Sequence, residues 1–178
     1  MNPFLLAVKS GFGFLSTIPF GLTMEGLDEL VKRIYLFPFV AVVIGIITGT
    51  FAYLFNFIFP PVISAVAILI AIYYFTGFNH LDGLADFGDG LTAHGSREKK
   101  INAMKDVSIG IGGAAFCVLG FISLYAVVIT LLDRSLIQNI NLSTGLMIFS
   151  SLIVAEIGAK QSMLTVAVFG KSIHEGLG

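Results

Sequence analysis

The sequence predicts an all-α integral membrane protein, a multi-pass helical bundle of about four transmembrane helices plus an N-terminal interfacial helix. Three observations carry that prediction. Of 178 residues, 56% are apolar and only 12% charged, and the mean hydropathy of +0.94 lies well outside the balance of a soluble domain. Residues 34–81 and 107–132 contain no Asp, Glu, Lys or Arg, and each run is long enough for the ~20 residues that cross a hydrocarbon core. The charge that remains is gathered into short stretches between these runs. With a net charge of −1 there is no global field to gather nucleic acid, so that partner class is excluded.

Taken in order, Pro3 to Phe20 is apolar but broken by Lys9, Ser10, Gly11, Gly13 and Pro19, which suits a helix lying in the membrane interface better than a full span. No basic stretch precedes it and no small-residue cleavage site follows, so the N-terminus reads as mature. Thr23 to Arg33 is polar and belongs in water or among headgroups. Residues 34–81 hold two spans, near 35–57 and 62–78, separated by a turn at Asn56, Pro60 and Pro61. A polar loop, 79–106, follows, in which Thr92 to Ser96 is a turn or N-cap before a short helical patch.

A third span covers 107–132. Gly110, Gly112 and Gly113 at its start allow either close helix packing or backbone contact with a phosphate. Cys117 within it reads as a packed thiol. Asp133 to Ser143 is a short loop before a fourth span, 144–169, which carries Glu156 and Lys160 four residues apart in the favoured order. Such residues inside a span face the bundle interior, as a neutralised pair or toward a substrate. No repeat or linker divides the chain, so 1–178 reads as a single membrane domain.

Orientation follows from the cations. If the first span starts in the cytoplasm, nine of the ten Lys and Arg lie in cytoplasmic segments or at cytoplasmic span ends, and only Arg134 falls outside. The 79–106 loop is then cytoplasmic.

That loop carries the chemistry. In His80-Leu81-Asp82-Gly83-Leu84-Ala85-Asp86-Phe87-Gly88-Asp89-Gly90-Leu91, spacings of four and three bring Asp82, Asp86 and Asp89 within about one sixth of a helix circumference. Three like charges on one face repel unless a cation sits among them. Mg²⁺ fits that need, since it takes carboxylate oxygens and completes its shell with water and substrate phosphates. Gly83, Gly88 and Gly90 are poor helix formers and point to a helix interrupted or closely approached, with room for a ligand at Gly83 and Gly90. A solvated acidic surface is the inert alternative. An EF-hand is excluded by the spacing.

The motif HLDGLADFGDGL, followed by MKDVSIGIGG, resembles the cobalamin synthase family, the adenosylcobinamide-GDP ribazoletransferases. FLSTIP (Phe14 to Pro19) and HEGLG (His174 to Gly178) are similar to further family segments, so the resemblance runs nearly end to end. It implies a multi-pass, Mg²⁺-dependent enzyme of the cell membrane that joins adenosylcobinamide-GDP to α-ribazole, or its 5′-phosphate, with release of GMP. This is the last step in assembling the nucleotide loop of adenosylcobalamin. The family's acidic motif falls on Asp82, Asp86 and Asp89 as metal ligands, with His80 before it, and its Lys-Asp pair falls on Lys105 and Asp106. Family members run longer, so the chain is expected to be C-terminally shortened. They also tend to carry Arg near Lys160, where Lys offers only a point charge to a phosphate.

The residues and the resemblance agree on phosphoryl-type transfer, with 79–106 as the catalytic loop. Metal on Asp82, Asp86 and Asp89 together with Lys105 would neutralise the diphosphate, Lys160 would add a second cation, and His80 or Asp106 would take the proton of the attacking hydroxyl. A CDP-alcohol phosphotransferase-like enzyme is the nearest rival, but its Ala-Arg pair and later fourth Asp are missing here. An ion-coupled transporter would account for Glu156 and Lys160 and leaves the three Asp unexplained.

Overall fold

The computed structural model describes residues 1–133 and 144–170, and every regular element in them is helical. α1 (Pro3–Leu15) begins at Asn2, whose side chain accepts from the Phe4 N–H at 2.9 Å, with Pro3 at the first helical position. The helix is shorter than the apolar stretch that suggested it. It stops at Ser16, whose hydroxyl donates to the Phe12 carbonyl at 2.6 Å. The polar stretch that follows is itself partly helical: α2 (Met24–Val31) is capped by Thr23, buries Leu27 and Leu30 beside Ala7, Phe12 and Leu15, and carries Glu29 paired with Lys32 and Arg33.

A 3₁₀ turn (Ile34–Leu36) leads into α3 (Phe37–Ile58), and α4 (Pro61–Thr76) returns. α7 (Ile111–Leu132) and α8 (Thr144–Phe169) complete the long helices. Three segments, Ile34–Ile58, Ile111–Leu132 and Gly145–Phe169, are long and apolar enough to cross a membrane. α4, at 16 residues, is short for a crossing. It continues through a 96° bend into α5 (Asn79–Thr92), and this bent pair makes the fourth span if it counts as one.

The bend has a local cause. Gly77 sits at φ +71°, a conformation that L side chains resist, and this ends α4. Thr17 then fastens the corner from outside, its N–H donating to the Phe75 carbonyl at 2.9 Å and its hydroxyl to the Tyr74 carbonyl at 2.7 Å. The FLSTIP stretch thus serves as a strap across the end of α4.

The stretch expected as a loop, 79–106, is instead a helical hairpin of α5 and α6 (Arg97–Met104), joined by a turn with Gly95 at φ +115°. Three glycines and three aspartates make α5 a weak helix by propensity. Packing against α6 and α7 supplies what propensity lacks: Gly88 lies against Gly112 and Phe116, and Gly90 lies under Met104. The helix is uninterrupted, so of the two readings of these glycines the close approach holds at Gly88 and Gly90.

α3 and α8 form the tightest joint. A Cβ at Gly45 would stand 2.7 Å from the Ile153 Cα, and one at Gly49 would stand 2.8 Å from the Phe149 carbonyl oxygen. These two glycines are four apart, the small-xxx-small spacing that lets membrane helices touch backbone to backbone. Below them Ala52, Ala65, Ile68, Val128, Leu132 and Ile148 close a second core. The outer face of α7 leaves Val118, Leu119, Ile122 and Val127 more than half exposed, an apolar surface that water would not tolerate and lipid does. Arg134, most of the loop expected from Asp133 to Ser143, and the HEGLG segment lie outside the described residues.

Candidate active site

α5 presents its carboxylates in three different settings. Asp82 is exposed and Asp86 half-buried, and among the described residues neither makes a hydrogen bond or an ion pair. Gly83 beside them is open, with nothing within 4 Å of where a Cβ would stand. Asp89 is fully engaged: Oδ2 accepts from the Gly110 N–H and Oδ1 from the Gly113 N–H, both at 2.8 Å. Those donors belong to the start of α7, where backbone N–H groups have no partner within the helix and favour negative charge.

The three aspartates share a face, as their spacing predicts, but they do not converge. Among the described residues no group of three or more His, Cys, Asp or Glu side chains is placed to hold one metal ion. Two free carboxylates one turn apart, next to open backbone, nonetheless suit a cation that takes one or two carboxylates and draws its remaining ligands from water and phosphate. The donor set present therefore fits Mg²⁺ through Asp82 and Asp86.

His80 lies at the start of α5. Its Nδ1 is buried with no hydrogen-bond partner among the described residues, and Lys160 and Glu156 are close enough for their charges to act on it. Those two side chains pair across one turn of α8, Lys160 Nζ donating to Glu156 Oε2 at 2.8 Å, both buried inside the bundle. The start of α5 and the middle of the last described helix are thus within electrostatic range of one another. The sequence, with 75 residues between His80 and Glu156, gave no sign of this proximity.

Lys105, the C-cap of α6, is exposed and has no side-chain partner among the described residues. Asp106 is spent on a turn: Oδ1 accepts from the Ser108 N–H at 3.0 Å and from the Ser108 hydroxyl at 2.5 Å. Both bonds favour the charged form and hold its carboxyl below the usual carboxylate range, which makes Asp106 a poorer proton acceptor than an ordinary carboxylate. Gly90, expected beside a ligand, is closed off, since a Cβ there would lie 2.3 Å from Met104 Cγ. Cys117 is the packed thiol expected, its sulfur 3.8 Å from the Leu81 carbonyl oxygen. An apolar cavity of about 250 Å³ lies between Phe14, Leu30, Phe37 and Met163.

Residues 7–178 match the profile of the family described as cobalamin-5-phosphate synthase. The chain belongs to that family. It is 60% identical over its whole length to the adenosylcobinamide-GDP ribazoletransferase of Methanococcoides burtonii, covering 65% of that protein. It is 52% identical to the protein of the same name from Methanosarcina barkeri, over 97% of this chain and 61% of the relative. The Archaeoglobus fulgidus relative is 37% identical over 97% of this chain and 64% of its own length. The chain thus spans a little under two thirds of these relatives. No solved structure matches it.

Proposed function

We propose that the chain carries the catalytic face of an adenosylcobinamide-GDP ribazoletransferase. In this reaction a ribose hydroxyl of α-ribazole, or of its 5′-phosphate, attacks the cobinamide-side phosphorus of the diphosphate, and the bond to GMP breaks. The observation that carries this reading is that two carboxylates, Asp82 and Asp86, and a lysine, Lys105, all without a side-chain partner among the described residues, stand at the two ends of one polar hairpin. Breaking a diphosphate calls for neutralised charge and a positioned leaving group, and these residue types supply both.

Asp82 and Asp86 would hold Mg²⁺, which when bound supplies Lewis-acid neutralisation of the diphosphate oxygens. Lys105 contributes a mobile cation to the same charge. His80, with a buried nitrogen that has no hydrogen-bond partner among the described residues, is the better suited of the two suggested bases, because Asp106 is occupied by Ser108. Lys160 is held by Glu156 inside the bundle, and a contact with substrate phosphate would have to draw it out of that pair. The distribution of Lys and Arg along the chain supports a cytoplasmic hairpin. The ion-coupled transporter reading has no use for a hairpin carrying free carboxylates and a free lysine.

The test is direct: purified protein in lipid, supplied with adenosylcobinamide-GDP, α-ribazole and Mg²⁺, is assayed for GMP and corrinoid product. Equal amounts of both, abolished by chelator, are expected. GMP without joined corrinoid, or no turnover when a full-length relative is active in parallel, would reject the assignment to this chain.

A further inference from the structure

We infer that Asp89 is a positioning residue that ties α5 to the start of α7, leaving Asp82 and Asp86 as the carboxylates open to a cation. The first half stands on hydrogen bonds alone; the second rests on the metal reading proposed above. Both Asp89 oxygens already accept, each from a different N–H of α7, at 2.8 Å. α1, α2 and α6 are capped from within the chain just before them by Asn2, Thr23 and Ser96. The N-cap residue of α7 is Gly110, which has no side chain to offer, so its cap comes from another helix.

The glycines of α7 are shaped to this joint. A Cβ at Gly110 would stand 2.3 Å from Asp89 Oδ1, one at Gly113 2.7 Å from Oδ2, and one at Gly112 2.0 Å from Thr92 Oγ1. Thr92 in turn donates to the Gly88 carbonyl at 2.9 Å. Turning Asp89 outward to a metal would strip partners from two N–H groups at a closely packed contact, a cost that Asp82 and Asp86 do not incur. The N-terminal dipole of α7 also offsets the Asp89 charge, which removes one of the three repelling partners from the acidic face. The spacing of four and three therefore serves two purposes: it aims one aspartate at α7, and that contact fixes how the other two are presented.

The experiment uses the protein in lipid nanodiscs, with Mn²⁺ alone as the probe, followed by its electron paramagnetic resonance signal. Asp89→Asn is expected to keep Mn²⁺ affinity within about threefold of the parent, whereas Asp82→Asn and Asp86→Asn each weaken it at least ~tenfold, as loss of a charged ligand does. In a Cys117→Ala background, spin labels at Leu91 and Leu119 report the α5–α7 distance. That distribution should broaden in Asp89→Ala, recover in part in Asp89→Asn, which keeps one acceptor, and stay unchanged in Asp82→Asn. Loss of Mn²⁺ in Asp89→Asn equal to that in Asp82→Asn, or an unchanged distance in Asp89→Ala, would overturn the inference. A parent that binds no Mn²⁺ would instead reject the metal reading, and the label distance alone would then decide the role of Asp89.

Discussion

Lys160 and Glu156 form an ion pair at 2.8 Å with both side chains at least nine-tenths buried, in the helix that packs most closely on α3. Removing one member of such a pair leaves an uncompensated charge and costs about 3 kcal/mol or more, while replacing both by apolar residues is close to neutral. Glu156→Leu should therefore lower thermal stability in detergent sharply, and Glu156→Leu/Lys160→Leu should restore most of it. If Lys160 also meets substrate phosphate beside His80, the double variant folds but shows a raised KM for the diphosphate substrate. A double variant with parental kinetics would leave the pair a purely structural role.

The α3–α8 joint makes a second prediction. A Cβ at Gly45 or Gly49 would stand under 3 Å from backbone of α8, where no flexible side chain can yield. Gly45→Val and Gly49→Val should each destabilise by roughly 1–3 kcal/mol, the range for overpacking a filled contact. Gly83→Ala, which meets open space, is the control and should leave the melting temperature unchanged or raise it slightly, since Ala favours helix over Gly.

These two cases show why the sequence revealed some features and hid others. Charge-free runs and their lengths report directly on lipid, so the long helices α3, α7 and α8 were legible, as was the shared face of Asp82, Asp86 and Asp89, because helical period is a local property. The 79–106 hairpin was read as a loop because glycine and aspartate depress helix propensity, and the contacts that overrule it lie on α7, some 20 residues away. Gly45 and Gly49 carried a spacing that could have been read as a packing motif. Nothing local to Asp89 says that it bonds to Gly110 and Gly113, nor does anything local to His80 say that the charges of Glu156 and Lys160 act on it. Such partners are fixed only by the fold.

Orientation can be checked from both sides of the membrane. In a Cys117→Ala background, a cysteine at exposed His94, in the α5–α6 turn, should be reached by a membrane-impermeant thiol reagent only after the cell is opened. One at Val62, exposed at the α3–α4 turn, should react on intact cells. The reverse pattern would move the hairpin outside and away from cytosolic nucleotide.

Lys105→Ala should separate charge from architecture. The side chain is exposed and makes no hydrogen bond or ion pair among the described residues, so its loss should leave folding intact. If it acts on charge developing in the transition state, kcat falls and KM for the diphosphate substrate holds; if it serves binding alone, KM rises. Lys105→Arg should retain most activity in either case. Parental values of both constants in Lys105→Ala would return the residue to plain solvated surface.

The last prediction concerns Asp106 and the choice of base. Its two bonds from Ser108 hold its carboxyl below the ordinary range, so the folded state binds its proton more weakly than the unfolded chain does. The sign follows: whatever the turn contributes is fully present above the unfolded value near 4 and is lost only as pH falls through the lower folded value. Between pH 6 and 9 Asp106 stays charged and contributes no slope. Asp106→Asn should therefore keep the parental shape of the pH–rate profile over that window, with at most a modest loss in kcat from a loosened turn. His80→Gln should instead lower kcat by about 100-fold, the lower part of the range for losing a general base, with KM little changed. A profile limb near neutrality that disappears in Asp106→Asn and persists in His80→Gln would exchange the two assignments.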